Sequence, residues 1–289
     1  MEYISTYART REIIEKNEFH IKKGFGQNFL VDQHVVNKII DGSGIGENDY
    51  VIEIGPGIGG LTERLAIKAK QVTAVEIDKT LIPILEENLS PYENIDIINE
   101  DILKVDLSKL IAEHGYENAK IVANLPYYIT TPIIMGILES SCPVKSMTVM
   151  IQKEVAARIR ASAGSKDYGA LSLAVQYRAD ASLIANVPRN SFIPRPNVDS
   201  AVIRIETLEK PRVAVNDEKL MFGIIRASFE QRRKTIVNCL FNIMNLGLTK
   251  DELAEVLAEC GLDVNARGES LDLEAFAALT AGIEKRIIK

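Results

Sequence analysis

Apolar and polar positions follow two different spacings between residues 50 and 152. Short apolar runs rich in β-branched residues, which predict strands, lie at 50–54, 71–75, 95–99, 120–123 and 146–151. Between these runs the apolar positions recur at helical spacing, as at 61–68 and 81–89. Strands that alternate with helices predict an α/β domain whose parallel sheet is covered by helices on both faces.

A second stretch of helices and strands follows and completes the predicted sheet. Helical patterns at 153–161 and 169–178 precede strand patterns near 181–187 and 201–206. We expect this stretch to complete the sheet, where an antiparallel pair at one edge is an option.

Helices dominate the chain after Pro211. One of them begins with a capping box formed by Thr249 and Glu252, and Gly261 ends it. No further strand pattern follows, so this part predicts a small all-helical domain. The predicted division is an N-terminal extension at 1–20, an α/β domain at 21–209 and a helical domain at 210–289.

Composition excludes several classes of protein. Three cysteines, Cys142, Cys239 and Cys260, lie far apart without a Cys-x-x-Cys pair, so we expect free thiols in a reducing compartment. The three histidines are scattered, and no apolar run approaches the roughly 18 residues of a membrane span. The charged N-terminus lacks the apolar core of a signal peptide. We expect a soluble cytoplasmic protein with no metal site and no membrane partner.

The formal net charge of −6 conceals an uneven distribution. Acidic residues are concentrated in 41–111, and the rest of the chain has slightly more basic than acidic residues. Local basic clusters matter more for phosphate binding than the overall charge. The candidates for nucleic-acid contact are Lys22, Lys23, Arg158, Arg232, Arg233 and Lys234. Taken alone, such clusters are more often solvated faces.

A glycine-rich loop follows the first predicted strand. Gly55, Gly57 and Gly60 match the dinucleotide-binding fingerprint and open a helix, whose N-terminus suits a ligand that touches the backbone. Glu76 ends the second strand, where an acid accepts hydrogen bonds from ribose hydroxyls. At this point an NAD-dependent dehydrogenase and a nucleoside-binding transferase fit equally well.

The next two strands distinguish these possibilities. Asp101 follows the third strand and Asn124 the fourth, at intervals of roughly 20 to 25 residues, which is about one strand–helix unit. This spacing predicts that Gly55, Glu76, Asp101 and Asn124 share the carboxyl edge of the sheet. Asp101 would accept from an adenine amine, although by itself it would also fit a helix cap.

Residues 124–127 (Asn-Leu-Pro-Tyr) match the chemistry of an adenine amine. The N6 lone pair is delocalised into the ring, so the amine is a poor nucleophile. The Asn124 side-chain oxygen and a nearby backbone carbonyl would accept both N6 hydrogens and leave the lone pair facing an electrophilic methyl group. Pro126 stiffens the turn, and Tyr127 offers a ring on which an extruded base stacks, worth about 1–3 kcal/mol.

Several separate motifs together resemble the KsgA/RsmA family, the ribosomal RNA adenine N6-dimethyltransferases that use S-adenosylmethionine. The motifs are KKGFGQNFLVD at 22–32, GPGIGGLT at 55–62, EID at 76–78, Asp101, NLPY at 124–127, NSFIPRPNVDS at 190–200 and FEQRRKTIVN at 229–238. They occur in the family's order. The resemblance extends from about residue 20 to the end of the chain.

The resemblance implies a fold and a function. The fold is a Rossmann-like class I S-adenosylmethionine-dependent methyltransferase sheet at 21–209, with a helical domain at 210–289 that contacts rRNA or the ribosome. The function is N6,N6-dimethylation of two adjacent adenosines near the 3′ end of 16S rRNA in the small (30S) subunit, in ribosome biogenesis, by a monomer. The alternatives are an Erm-type 23S rRNA methyltransferase and a ribosome-assembly binding factor.

The resemblance also implies residue roles. The expected cofactor contacts are Asn28, Leu30, Gly55, Gly57, Glu76, Ile77, Asp101, Ile102 and Asn124. The residues expected at the target adenine are Asn124, Leu125, Pro126, Tyr127 and Phe192. In this arrangement Tyr127 and Phe192 lie on opposite faces of the base.

Overall fold

The computed structural model describes residues 2–19, 22, 24, 26–140 and 142–287. The strands are β1 (Phe29–Leu30), β2 (Tyr50–Ile54), β3 (Gln71–Glu76), β4 (Ile95–Asn99), β5 (Ala119–Asn124), β6 (Val144–Gln152), β7 (Ala179–Val187), β8 (Phe192–Ile193) and β9 (Ser200–Thr207). The helices are α1 (Tyr7–Lys16), α2 (Gln33–Ser43), α3 (Thr62–Lys68), α4 (Ile82–Leu89), α5 (Leu107–Glu113), α6 (Thr130–Glu139), α7 (Lys153–Ile159), α8 (Ala170–Arg178), α9 (Glu218–Glu230), α10 (Ile236–Ile243), α11 (Lys250–Glu259) and α12 (Leu273–Ile287).

A mixed sheet has the strand order β4-β3-β2-β5-β6-β9-β7. The pairs from β4 to β6 are parallel, and β9 pairs antiparallel with β6, with Gln152 opposite Ser200. β1 and β8 form a separate short antiparallel pair. The predicted α/β fold with a mostly parallel sheet is confirmed, and the antiparallel pair that the structure shows is β6 with β9.

The central strand shows why this segment forms a parallel sheet. Every residue of β2 is buried, as expected of a strand covered on both faces. One apolar cluster joins Val36 and Ile39 of α2 and Leu65 of α3 to Val51 of β2. The continuous apolar run at 50–54 therefore reflects burial on both sides of the sheet.

The chain divides into two compact units. The first contains residues 1–156 and 181–207, and the second contains 157–180 and 208–289. Residues 157–180, which chain order places in the α/β domain, thus group with the C-terminal helices. The reason is apolar packing: Tyr168, Leu173 and Tyr177 are buried in one cluster with α9, α11 and α12. The Tyr168 hydroxyl also donates to the carbonyl of Leu271 over 2.9 Å.

The second unit is helical after residue 207, as the sequence predicts. The capping box at the start of α11 is present: the Thr249 hydroxyl accepts from the Glu252 N–H, and the Glu252 carboxylate accepts from the Thr249 N–H over 2.8 Å. Gly261 follows α11 with a φ of +71°, a conformation that glycine adopts at low cost. Among the described residues, no helix is both long and apolar enough to cross a bilayer.

The N-terminal extension is folded in the part that the structure describes. Asn17 ends α1, and the Thr6 side chain caps its start by accepting from the Arg9 N–H. Ile4 and Ile13 are buried with Ile58 and Leu85 of the first unit. Residues of the extension therefore contribute to the core on which the glycine-rich loop rests.

Candidate active site

A cleft opens at the carboxyl edge of the parallel strands in the first unit. It encloses about 1120 Å³ of space, part of which is open to solvent. Gly55 follows β2, Glu76 ends β3, Asp101 lies two residues after β4, and Asn124 ends β5. All four residues line the cleft. The structure therefore brings together the four positions that the sequence spacing placed at one edge.

The glycine-rich loop forms the floor of the cleft beside β2. Gly55 and Gly57 have φ values of +68° and +63°, which side chains rarely adopt. The Gly55 N–H donates to the Val75 carbonyl over 3.0 Å. A Cβ on Gly57 would lie 3.0 Å from the Phe29 ring, so glycine permits this close approach. The loop is thus held open for a ligand by its own backbone geometry.

Glu76 is oriented by backbone donors. Its Oε2 accepts from the Gly57 N–H over 3.2 Å and its Oε1 from the Asp78 N–H over 2.8 Å. Burial raises the pKa of Glu76, and the two backbone hydrogen bonds oppose that rise. The carboxylate therefore sits fixed in the cleft wall, with lone pairs left for ribose hydroxyls.

Asp101 and Ile102 lie beside Glu76 along the cleft wall. The Asp101 Oδ1 accepts from the Leu103 N–H over 3.0 Å and caps the short 3₁₀ turn at Ile102–Lys104. The capping role considered from the sequence is therefore real. It uses one carboxylate oxygen and coexists with the position of Asp101 in the cleft. Ile77 is 45% exposed and lines the same wall.

Asn124 is oriented by a residue far away in sequence. Its Nδ2 donates to the backbone carbonyl of Asn28 over 2.9 Å. This bond assigns the two ends of the side-chain amide, because only the nitrogen can donate. The Oδ1 is left as the acceptor, which is the orientation that an adenine amine requires. Leu30, two residues after Asn28, also lines the cleft.

The turn after β5 forms the mouth of the cleft. Leu125, Pro126 and Tyr127 all line the cleft. The Tyr127 hydroxyl shares a hydrogen bond of 2.7 Å with the Ser200 hydroxyl, and burial raises its pKa. Tyr128, which the sequence reasoning missed, also lines the cleft and is 56% exposed. The sequence contained a signal for Tyr128, because a second tyrosine directly follows Tyr127.

Phe192 does not line the cleft. It is 3% exposed in the apolar cluster with Leu30, its partner in the β1–β8 pair. The structure therefore does not bring Phe192 together with Tyr127 around an open site. Its contact with the target base stays a prediction.

Glu53 is a second buried acid that sequence reasoning left without a role. It lies in β2, is 1% exposed and lines the cleft. Its Oε2 is buried without a hydrogen-bond partner among the described residues. Burial, with a smaller contribution from the charge of Glu76, raises the pKa of Glu53 to about 8. The sequence contained a signal for this residue, because Glu53 is an acid inside an otherwise apolar strand.

The ionisable side chains of the cleft are all acidic. Its described lining residues include Glu76, Glu100 and Asp101, besides the protonated Glu53, and they include no lysine, arginine or histidine. Such a lining favours a cationic ligand and repels an anionic one. A dinucleotide brings a pyrophosphate with two negative charges to the glycine-rich loop. A sulfonium with an α-amino group brings positive charge.

The predicted basic residues of the first unit have a different environment. The Lys22 ammonium donates to Asp78 over 2.8 Å and to Thr80 over 2.9 Å. The Gln27 side chain also donates to Asp78, over 2.9 Å. Lys22 therefore fastens the 22–32 motif to the loop after β3. Lys23 lies outside the described residues.

The predicted basic residues of the second unit lie on α7 and between α9 and α10. Arg158 and Arg232 line a second cleft together with Lys166. Arg232 donates to the Lys166 carbonyl over 3.1 Å and pairs with Glu269 at 3.3 Å. Arg233 and Lys234 are exposed in the segment 231–234. Arg232 thus has a structural role in addition to any contact with RNA.

Comparison with known proteins gives a consistent result. A family model described as ribosomal RNA adenine dimethylase matches residues 18–278. Ribosomal RNA small subunit methyltransferase A of Alkaliphilus oremlandii is 51% identical over 288 residues, which span 99% of this chain and 100% of the relative. A dimethyladenosine transferase from Plasmodium falciparum superposes with a TM-score of 0.77 at 25% identity, covering 89% of this chain and 98% of that one. The 23S rRNA methyltransferase ErmE superposes with a TM-score of 0.66, also at 25% identity, covering 88% and 99%.

Proposed function

This chain belongs to the ribosomal RNA adenine dimethylase family, and we propose on that basis that it transfers methyl groups from S-adenosylmethionine to N6 of adenosines in small-subunit rRNA. The proposed target is the pair of adjacent adenosines near the 3′ end of 16S rRNA in the 30S subunit. Within the structure, the observation that carries the proposal is the orientation of Asn124 in a cleft whose ionisable lining residues are all acidic. The relative's name supports the small subunit as the target.

The residues of the cleft fit S-adenosylmethionine. Glu76 would accept from the ribose hydroxyls, and Asp101 would accept from the adenine amine, with Ile77 and Ile102 packing beside them. Asn28 and Leu30 of the 22–32 motif, with Gly55 and Gly57, would hold the rest of the molecule. Its positive charge would lie in a cleft whose other acidic lining residues are Glu76, Glu100 and Asp101, beside the buried and protonated Glu53. When bound, the cofactor supplies an electrophilic methyl group.

Asn124 positions the target amine. Because its Nδ2 is held by the Asn28 carbonyl, its Oδ1 is available to accept one N6 hydrogen. The Pro126 carbonyl already accepts from the Ile129 N–H and the Thr130 hydroxyl, so the Leu125 carbonyl is the better acceptor for the second hydrogen. Two acceptors orient the amine so that its lone pair faces the methyl group.

The rest of the chemistry requires no strong base. Methyl transfer to the neutral amine would leave N6 with a positive charge, and that cationic nitrogen would readily lose a proton to water, so positioning supplies most of the catalysis. Tyr127, and Tyr128 at the mouth, offer rings for an extruded base. We retain Phe192 as the opposite face of the base, which requires that its ring leave the apolar cluster when RNA binds.

The second unit supplies the proposed contacts with rRNA and the ribosome. Arg233 and Lys234 are exposed, and Arg158 and Arg232 line the second cleft. These cations suit phosphate contacts, which position a protein on nucleic acid without reading its sequence. We propose that the protein acts as a monomer in the cytoplasm, where its ribosomal substrate is assembled.

A methyl-transfer assay tests the proposal. Unmethylated small subunits and protein-free 23S rRNA are incubated side by side with labelled S-adenosylmethionine, and the digested RNA is analysed by mass spectrometry. We expect dimethyladenosine in the small subunit only. Dimethyladenosine in 23S rRNA only would indicate an Erm-type enzyme. Cofactor binding without transfer to either RNA would indicate a ribosome-assembly binding factor.

A further inference from the structure

The N-terminal segment of the first unit, which we call the arm and define as residues 2–17, is fastened beside the glycine-rich loop. The Ile4 N–H donates to Glu63 of α3 over 2.8 Å. The Arg64 guanidinium lies 4.2 Å from the centre of the Tyr3 ring, and Lys16 pairs with Glu87 of α4. The arm is thus anchored at both ends to the helices that follow β2 and β3.

Two hydroxyl residues of the arm reach the cleft. Ser5 and Thr10 both line it, and their exposed fractions are 1% and 0%. The Thr10 hydroxyl donates to the Ile4 carbonyl over 2.9 Å and so fixes the turn that carries Ser5. A Cβ on Gly60 would lie 3.0 Å from the Ser5 Cβ. The last glycine of the fingerprint therefore makes room for the arm.

The position of Ser5 indicates which end of a ligand it meets. If the ribose lies at Glu76, the adenine at Asp101 and the methyl group near Asn124, the part of the cleft next to Ser5 and Gly60 is left for the methionine end. That end carries an α-carboxylate as well as an α-amino group. Acids of the cleft suit the amino group but repel the carboxylate.

Neutral donors must therefore hold the carboxylate, since the described lining includes no cationic side chain. The Ser5 Oγ accepts from the Gln33 Nε2 over 2.7 Å. A hydroxyl that accepts one hydrogen bond still has its own hydrogen to donate. Burial of Ser5 makes a hydrogen bond to a carboxylate stronger than it would be in water.

We propose that the arm closes the amino-acid end of the cofactor site and that the Ser5 hydroxyl donates to the carboxylate of the bound methionine moiety. The Gln33 side chain orients this hydroxyl, and Thr10 positions the turn. This inference rests on the proposed function, because it takes S-adenosylmethionine as the ligand. It gives the extension at 1–20 a binding role that the motifs of the chain did not suggest.

Two ligands that differ at one end provide the test. S-adenosylhomocysteine has the amino-acid end, 5′-methylthioadenosine lacks it, and neither carries a charge at sulfur. Binding of both to the full chain is measured by isothermal titration calorimetry for the wild type and for Ser5→Ala. We expect the substitution to raise the Kd of S-adenosylhomocysteine about tenfold, since it removes a hydrogen bond to a charged group, and to change that of 5′-methylthioadenosine by less than about twofold.

Two further variants complete the design. Ser90→Ala removes an exposed hydroxyl at the end of α4 and should change neither Kd. Thr10→Val keeps the shape of the side chain but releases the Ile4 carbonyl, and we expect a smaller loss of affinity with the same ligand selectivity. Thermal melting of each variant verifies folding, so Thr10→Val still tests the proposal if Ser5→Ala is unstable.

The outcomes separate the two proposals. Equal weakening of both ligands by Ser5→Ala, or no weakening of either, would overturn the role of Ser5 and leave the methyltransferase assignment intact. Failure of the wild type to bind S-adenosylhomocysteine at all would contradict the proposed function itself. Selective weakening of the ligand that carries the amino-acid end supports the inference.

Discussion

The cofactor cleft of the first unit and the segment 231–234 of the second unit have opposite charges and opposite exposure. The cleft has acids that are largely buried, such as Glu53 and Glu76, and the segment has cations such as Arg233 and Lys234 that are exposed to solvent. A net charge of −6 describes neither region. One chain can therefore present an anionic surface to a small cation and a cationic surface to RNA.

The two regions also differ in how strongly each charge acts. A buried carboxylate interacts through a medium of low polarity, so a single substitution there changes binding or protonation substantially. An exposed cation is screened by salt, so its contribution is small and depends on ionic strength. Substitutions in the cleft should therefore have larger effects than substitutions in the segment.

The strongest effect should be on turnover at Asn124. Asn124→Asp keeps the size of the side chain but places a carboxylate oxygen against the Asn28 carbonyl, so the side chain loses its orientation. We expect turnover to fall by about 10²–10³-fold, with a much smaller change in cofactor Kd. Single-turnover methyl transfer and calorimetry measure the two quantities separately.

An exposed asparagine serves as the control for that substitution. Asn37 of α2 accepts from Arg64 through its Oδ1, and Asn37→Asp retains an acceptor there. This variant should keep the wild-type turnover. If Asn124→Asp were as active as Asn37→Asp, Asn124 would not position the amine.

The second effect is on cofactor binding at Glu76. Glu76→Gln removes the negative charge and one of two oxygens that accept from backbone N–H groups. We expect the Kd of S-adenosylmethionine to rise by about 10- to 100-fold because hydrogen bonds to a charged acceptor are removed. Calorimetry measures this Kd, and Glu113→Gln on the exposed surface of α5 is the control. Unchanged affinity would exclude the ribose contact.

The third effect is on stability at Glu53. Its pKa in the folded protein, about 8, lies above the value of 4.5 for an ordinary glutamate, so the folded state holds this proton between those two pH values. The stabilising contribution is complete below about pH 4.5 and is lost as the pH rises through about 8. We expect Glu53 to lower the free energy of unfolding by up to about 1.4 kcal/mol per pH unit in that interval.

Urea unfolding of the ligand-free protein between about pH 5 and about pH 8.5 measures this slope, which should level off above a pH of about 8. Glu53→Gln mimics the protonated acid and should remove its part of the slope. Glu113→Gln should retain the wild-type slope. Identical slopes in all three proteins would show that Glu53 does not titrate in this range.

The weakest effect should be on RNA binding by the segment 231–234. Replacing Arg232, Arg233 and Lys234 by alanine should flatten the salt dependence of small-subunit binding, log Kobs against log salt, by about 0.7–0.9 for each phosphate that is no longer neutralised. Filter binding at several salt concentrations measures the slope. A charge-matched control replaces the exposed lysines Lys68, Lys104 and Lys109 of the first unit. Equal slopes in the two triple variants would identify the segment as a solvated surface.

The parallel sheet could be predicted from sequence because its signals are local. Each strand of the central part is a short apolar run, and burial on both faces makes that run continuous, as in β2. Each of the four residues Gly55, Glu76, Asp101 and Asn124 lies at or just after the end of a strand, and about one strand–helix unit separates each from the next. Their positions therefore follow from the strand pattern. Their common edge is a consequence of parallel strands, not of any contact between them.

Features that depend on distant contacts could not be predicted in this way. The orientation of Asn124 depends on a carbonyl 96 residues earlier in the chain. The approach of Ser5 to Gly60 joins the arm to the glycine-rich loop, and no spacing in the sequence encodes that contact. Residues 157–180 join the C-terminal helices through buried tyrosines, although chain order places them with the sheet.

Phe192 shows the limit of a motif. The sequence around it resembles the family's target-side motif, yet the ring lies in an apolar cluster at 3% exposure. The motif predicts that a phenylalanine occupies this position of the sequence. It does not predict where the ring lies in the absence of RNA, because that depends on the residues packed around it.

Selection of a cationic nucleoside by the acidic cleft underlies the whole proposal, and a side-by-side titration can test it. The full chain is titrated calorimetrically with S-adenosylmethionine and with NAD at the same pH and ionic strength. We predict saturable binding of S-adenosylmethionine at one site, weakened by Glu76→Gln, and no binding of NAD in the same concentration range. Binding of NAD with equal or higher affinity, or no binding of S-adenosylmethionine, would contradict this selection.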